Sequence, residues 1–240
     1  MKVVNLILVA LLFFPFGNYA QNVQLASSAN KSVDSNGTAN TLTLDQRKVL
    51  PLFGEQSKTS QQIDEEIKFL SDCDKMFGDR TEAGKFFSTR AWEYLQEGQL
   101  DTASYRFNLA NLLDKNSVDP YWGLGVICFQ QEKLDEASSM LTRGALLAPD
   151  NVSLLVDLST VEVRIYEVRE DKAQLSQAEE RLLKALKLDP TYSQAHYNMS
   201  VVEYYKDNYE KAWQYLHEGR KLDFSQLNLS FVEMLKKKTG

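Results

Sequence analysis

The chain has 240 residues, of which 43% are hydrophobic and 25% charged, a composition typical of a globular protein. Its formal net charge of −6 argues against non-specific attraction to nucleic acid or to anionic lipid surfaces, and the sequence shows no basic stripe that would override this balance. We therefore expect no nucleic-acid partner.

Residues 1–20 are typical of a secretory signal peptide. Lys2 is their only charge, an apolar run extends from Val3 to Phe16, and the small residue Ala20 precedes the predicted cut. The run is shorter than the ~20 apolar residues of a bilayer-spanning helix. We therefore expect cleavage, no membrane insertion of the mature chain, and a periplasmic or secreted protein. An uncleaved N-terminal anchor is the alternative.

Residues 21–60 are predicted to form a flexible polar linker, because they are rich in Ser, Asn, Thr and Gln and contain few large apolar residues. The linker contains one apolar island, VLPLFG, at residues 49–54. Burial of these side chains is favourable, so we expect the island to dock on the folded part of the chain.

A first helix is predicted where apolar residues recur at spacings of three and four, which gives one apolar face. The residues of this face are Ile63, Ile67, Leu70, Cys73, Met76 and Phe77.

Four copies of one pattern follow, each centred on an alanine: Ala103, Ala137, Ala178 and Ala212, at intervals of 34, 41 and 34 residues. A large apolar residue follows each alanine by four positions, and a small residue follows by seven. A small residue at the crossing lets two antiparallel helices approach closely, while the bulky residue one turn later fills the gap. One pair buries too little apolar surface alone, so at least three must stack.

The period and the paired small residues resemble the tetratricopeptide repeat (TPR). In the second copy the TPR pattern is matched, with Tyr and Cys as substitutes, at Tyr121, Leu124, Gly125, Cys128, Ala137, Leu141 and Pro149. The segments PLFG, the first copy and YWGLG also resemble a group of small exported bacterial TPR proteins of unestablished role.

The resemblance implies an all-α TPR solenoid of about four helix-turn-helix pairs, with an extra N-terminal helix and a C-terminal capping helix. The TPR domain would span residues 61–240, with repeats at about 84–117, 118–151, 152–192 and 193–224, and the capping helix at 225–238.

Two features depart from the TPR pattern. Glu162 and Glu203 occupy a place usually given to tyrosine, so either they reach solvent or the alignment of these helices is shifted by one residue. The third copy also has about seven extra residues, which we expect to lengthen its helices or their loop.

In TPR arrays the first helix of each pair lines a concave groove. The resemblance implies a peptide-binding groove at Trp92, Gln96, Trp122, Phe129, Gln130, Arg164, Tyr197, Tyr204 and Tyr205. The alternative is that these aromatic residues pack between repeats. The clamp with which some TPR domains hold a carboxylate is absent, because its places hold residues such as Ser88, Trp92, Gly123 and Ser153.

The sequence shows no constellation of catalytic residues. His196 and His217 fall on different predicted helices, and the sequence contains no HExxH, CxxC or GxSxG motif. We therefore predict no enzymatic activity, no cofactor and no metal. Cys73 and Cys128 are expected to be free buried thiols, with a disulfide as the alternative.

Together these features predict a non-catalytic exported TPR adaptor that binds a protein or peptide segment in its concave groove. The alternative is a structural or assembly protein of the cell envelope that acts through self-association or through its convex face. An enzyme with an unrecognised site is a third hypothesis.

The island at residues 49–54 would dock on the outer face of the first helix, as part of a cap, or in the groove; we favour the cap.

Overall fold

The computed structural model describes residues 43–55 and 57–240, so the predicted signal peptide and most of the predicted linker lie outside the described residues. The described ranges are largely helical and contain no strand, which confirms the all-α prediction. Within them, no helix is both long and apolar enough to cross a membrane. The α-helices are α1 (Leu44–Lys48), α2 (Ser60–Met76), α3 (Arg80–Gln96), α4 (Leu100–Leu113), α5 (Val118–Gln130), α6 (Leu134–Leu147), α7 (Val152–Arg169), α8 (Lys172–Leu188), α9 (Ser193–Tyr205), α10 (Tyr209–Leu222) and α11 (Leu229–Thr239), with short 3-10 helices at Pro51–Glu55 and Phe224–Gln226.

Four helix pairs, α3–α4, α5–α6, α7–α8 and α9–α10, pack consecutively into a solenoid. The four predicted crossing alanines are all 0% exposed, which confirms the repeat register. The approach at one crossing is close enough to require glycine: a Cβ atom on Gly125 would lie 2.6 Å from Cγ of Leu141.

Neighbouring helix pairs pack more closely on one side of the solenoid than on the other. The first helices α3, α5, α7 and α9 contact their counterparts in neighbouring pairs, whereas the second helices contact one another less. The array therefore curves with its first helices on the concave face and its second helices on the convex face. The extra residues of the third copy extend α7 to 18 residues and α8 to 17, against 13 in α5 and 14 in α6.

The two unusual glutamates have a different explanation from those expected. Glu162 is 1% and Glu203 is 3% exposed, so neither reaches solvent. Cys128, which occupies the same place in the second copy, is 2% exposed, so the three positions match and the alignment is not shifted. Instead, Glu162 Oε1 accepts a hydrogen bond from Arg181 Nε at 2.6 Å. Glu203 Oε1 lies 3.8 Å from Lys206 Nζ. Each buried carboxylate therefore has a cationic partner, in place of the solvent contact that the sequence led us to expect.

Residues 43–55, named here the strap, form helix α1 and a following turn in which Leu52 and Phe53 have left-handed backbone angles, so the flexible-linker prediction is wrong for this part of residues 21–60. Asn108 of α4 holds the strap by its backbone. Its Nδ2 donates to the carbonyl oxygens of Lys48 and Leu50, both at 2.8 Å, and its Oδ1 accepts from Leu52 N at 2.8 Å. The island therefore docks on the second helix of the first pair and not in the groove. Phe53 also packs against the core cluster that includes Cys73 of α2, so the island contributes to the N-terminal end of the array as the preferred cap would.

The two ends of the array are covered to different extents. At the C-terminus α11 packs on α10 and buries Leu235 completely, as expected of a capping helix. At the other end α2 buries Cys73 but leaves Ile63 and Ile67 exposed, so its apolar face is only partly used. Cys73 and Cys128 are free and buried, which confirms the expectation of unpaired thiols.

Candidate functional site

Two predicted groove residues, Trp92 and Trp122, join neighbouring pairs rather than facing solvent. They are 7% and 9% exposed, and their rings meet edge to face with centroids 5.6 Å apart. Trp92 Nε1 donates to Asp119 Oδ1 at 3.1 Å, and Trp122 Nε1 donates to Asp157 Oδ2 at 2.7 Å. These tryptophans therefore pack between repeats, as the alternative proposed, and form the rigid floor of the concave face.

Polar contacts continue this floor toward the fourth pair. Asn198 Nδ2 of α9 donates to Thr160 Oγ1 of α7 at 2.8 Å. Asp157 is buried, and burial raises the pKa of its carboxyl to about 7 although the Trp122 hydrogen bond acts in the opposite direction. The first helices are thus joined to one another by hydrogen bonds along the concave side.

Tyr197 does not line the groove. It is 6% exposed, and its ring lies over Gly219 of α10, where an added Cβ atom would meet it at 3.1 Å. Its hydroxyl donates to the carbonyl oxygen of Asp223 at 2.8 Å. Gly219 leaves room for this ring, so the structure places Tyr197 inside the fourth pair instead of on the concave surface.

The remaining predicted groove residues are accessible. Gln96 is exposed, and the half-buried members of the set are Phe129, Gln130, Arg164, Tyr204 and Tyr205. We name these five half-buried residues the groove surface. Arg164 lies between two carboxylates, at 3.3 Å from Glu132 Oε2 and 3.1 Å from Glu167 Oε2. Glu167 Oε1 also accepts from the Tyr205 hydroxyl at 2.8 Å, which connects α7 to α9.

An aromatic cluster occupies the end of the groove at the third and fourth pairs. The ring centroids are 5.2 Å apart for Tyr166 and Tyr205, and 5.4 Å apart for Tyr204 and Tyr205. Tyr204 further contacts Tyr209 at 5.8 Å and Phe231 of α11 at 5.6 Å. All five rings are half-buried. We call these residues the aromatic cluster.

Sequence reasoning missed Tyr166 and Glu167, which belong to this part of the groove. Both lie in the extended last turn of α7, for which the shorter repeats offer no equivalent position. A sequence signal was available for Glu167, which follows Arg164 by three residues and therefore lies on the same side of the helix. No such spacing relates Tyr166 to Arg164.

The two histidines make separate direct contacts. His196 Nε2 lies 2.8 Å from the carbonyl oxygen of Pro190, whereas His217 stacks on Trp213 with ring centroids 5.5 Å apart. In the part of the chain that the structure describes, no group of three or more His, Cys, Asp or Glu residues could hold a metal ion.

At the level of sequence, no protein-family model and no curated protein matches the chain. Solved structures do match its fold. A thermophilic TPR protein from Thermus thermophilus is 19% identical over 58% of this chain and 74% of its own, with a TM-score of 0.53. The chain has the tetratricopeptide-repeat fold.

Two further structures extend the comparison of this TPR chain. MamA is 16% identical over 71% of this chain and 98% of its own, with a TM-score of 0.51. The APC/C hetero-tetramer Cut9-Hcn1 contains a chain that is 14% identical over 75% of this chain and 34% of its own, with a TM-score of 0.55. At these identities the likeness defines the fold, while a function has to be argued from this chain's own surface.

Proposed function

We propose that this TPR chain is an exported, non-catalytic scaffold that binds a protein or peptide segment along its concave face. The observation that carries the proposal is the groove surface, where Phe129, Arg164, Tyr204 and Tyr205 come from three successive first helices and stay partly accessible. Aromatic and arginine side chains dominate the binding energy of protein interfaces. An extended segment that crosses α5, α7 and α9 would contact all four.

The buried part of the concave face supports this role indirectly. The Trp92–Trp122 pair and its carboxylate acceptors fix the positions of α3, α5 and α7, so the accessible side chains stand on a rigid support. A rigid site loses little conformational entropy on binding. One matched structure of this fold, Cut9-Hcn1, is itself a hetero-tetramer.

Export is supported by the sequence of residues 1–20, with its short apolar run and small residue before the cut. An exported scaffold would meet its partner in the periplasm or outside the cell, so the partner is to be sought there.

Affinity capture from envelope extracts tests the proposal, with the chain from Gln21 as bait and mass spectrometry as readout. Phe129→Asp places a charge on the groove surface, and Leu146→Asp places the same charge on the convex face, where Leu146 is 77% exposed. We expect Phe129→Asp to lose the captured protein and Leu146→Asp to retain it. The reverse pattern would move the interface to the convex face.

Self-association is the second candidate, because the N-terminal end of the solenoid exposes apolar surface. Ile63 and Ile67 of α2 are 45% and 59% exposed, one turn apart on the same side of the helix. Sedimentation velocity of the mature chain tests this role. A concentration-dependent dimer that Ile67→Lys abolishes would favour the structural role, and a monomer throughout would remove it.

A further inference from the structure

We propose that the aromatic cluster binds a cationic side chain, arginine or lysine, of the segment held in the groove. This inference rests on the proposed function and names the chemistry of the partner. It follows from the rings, the carboxylates and the helix ends that meet at one place, at the third and fourth pairs.

The rings provide the first requirement of a cation site. Tyr166, Tyr204, Tyr205, Tyr209 and Phe231 form one connected group drawn from α7, α9, α10 and α11, and each is half-buried. The face of an aromatic ring attracts an ammonium or guanidinium group, more strongly where water is partly excluded. Among the described residues, the cations that lie over rings are Arg106 at Phe87 and Arg143 at Tyr121, and none lies over this cluster.

Carboxylates provide the second requirement. Glu167 touches Tyr205, and Asp207 accepts a hydrogen bond from the Tyr209 hydroxyl at 2.5 Å. Glu132 contacts Arg164, the one guanidinium paired with these acids. Three carboxylates are thus set against one cation, and the site keeps a net negative charge.

The cation that follows the cluster directly in sequence is directed elsewhere. Lys206 follows the cluster in sequence, but its Nζ lies 2.6 Å from Glu179 Oε1 of α8. Lys206 therefore neutralises a carboxylate of the neighbouring second helix rather than Asp207 or Glu167.

The tyrosine hydroxyls are consistent with a negative local potential. Burial and the charge of Glu167 raise the pKa of Tyr205, and the hydrogen bond to Asp207 raises the pKa of Tyr209 to about 12. The last turns of α7 and α9 also end beside the cluster, and the carbonyl end of a helix carries partial negative charge that favours a cation.

Peptide binding tests the inference with three labelled, capped octapeptides that alternate serine with arginine, with glutamate or with leucine. Fluorescence anisotropy with the mature chain would measure each dissociation constant at low and at physiological salt. We expect the arginine peptide to bind most tightly and to weaken as salt is added.

Variants of the cluster locate the binding. Tyr204→Leu retains an apolar side chain but loses the ring face, and Glu132→Gln removes an exposed charge. We expect each to weaken binding of the arginine peptide by about fivefold. Glu218→Gln is the matched control, because Glu218 is an exposed, lysine-paired glutamate of α10 away from the cluster. Circular dichroism melts of all variants verify folding.

The outcomes separate this inference from the proposed function. Absence of arginine-peptide binding, equal binding of the leucine peptide, or equal affinity in Tyr204→Leu and Glu132→Gln would overturn the cationic site. If Phe129→Asp still loses the captured protein in those cases, groove binding stands and only the partner chemistry is wrong. If Phe129→Asp captures the same proteins as the parent chain, groove binding itself fails.

Discussion

Trp122 of α5 and Asp157 of α7 form a buried hydrogen bond of 2.7 Å between neighbouring repeats. The bond satisfies the indole N–H, but it leaves a carboxylate in an apolar interior with a single neutral donor. Desolvation of the charged form therefore exceeds the benefit of the bond and raises the pKa of Asp157 to about 7.

The stability of the protein should therefore decrease as pH rises through the acidic range. Burial likewise raises the pKa of Glu162 to about 7, despite its bond to Arg181. Between the unfolded-state values near 4 and about 7, the folded state binds more protons than the unfolded state, so the free energy of unfolding falls as pH rises. We expect a lower urea midpoint at pH 8 than at pH 5.5.

Asp157→Asn should reduce that pH dependence, because an asparagine amide oxygen can still accept from Trp122 and does not titrate. The substitution should reduce the slope of the free energy of unfolding against pH by at most about 1.4 kcal/mol per pH unit, the limit for one titrating proton. Asp101→Asn, at an exposed position of α4, is the control and should leave the slope unchanged. A variant with the slope of the parent chain would mean that Asp157 is ionised throughout this range.

The crossing alanines give a prediction about packing. Ala178 and Ala212 are 0% exposed, so Ala178→Leu and Ala212→Leu must place extra carbon atoms where two helices touch. We expect each to lower the free energy of unfolding by roughly 1–3 kcal/mol in thermal melts. Ala173→Leu, at an exposed position of α8, is the matched control and should change stability little. Unchanged midpoints for both buried variants would contradict the crossing geometry.

The fold was largely predictable from the sequence because its signal is repeated. A small residue at each crossing and a bulky residue four positions later are demanded by close packing, so the same constraint appears in every copy at Ala103, Ala137, Ala178 and Ala212. One copy alone would have been a weak indication of a helix pair.

The groove was only partly predictable, because helical periodicity gives the side of a helix but not the depth of a side chain. Trp122 and Phe129 lie on the same predicted stripe of α5. Trp122 is nevertheless buried against neighbouring repeats, whereas Phe129 is half-buried. Tyr197 packs inside the fourth pair rather than on the predicted stripe, because Gly219 of α10 leaves room for its ring. Such differences depend on partners distant in sequence.

Cleavage of the signal peptide is a prediction that stands on the sequence alone. The short apolar run and Ala20 indicate that the mature chain begins at Gln21. N-terminal sequencing of the protein from its native host should find that start. Replacement of Ala20 by a bulky residue, as in Ala20→Tyr, should slow processing, whereas a start at Met1 with membrane association would indicate an uncleaved anchor.

The strap depends on Asn108, and its removal should release residues 43–55. Leu52 and Phe53 have positive φ angles of 50° and 57°, a left-handed conformation that costs an L-residue roughly 1–2 kcal/mol. The three hydrogen bonds to Asn108 and the partial burial of Leu52 and Phe53 offset this strain. The Phe53–Tyr105 ring contact and the exposed Glu55–Arg143 ion pair also hold the segment, but an exposed ion pair contributes little.

We therefore expect Asn108→Ala to lower the free energy of unfolding by about 2–3 kcal/mol, because it leaves backbone groups of the strap without partners. Limited proteolysis should then cleave within residues 43–57, while Asn116→Ala, at an exposed position, should leave the strap protected.

Deletion of residues 49–54 should lower the melting temperature in the same way. Partner binding should not change, since the strap docks on α4, away from the concave face. Tighter partner binding after the deletion would instead make the island a competitor for the groove.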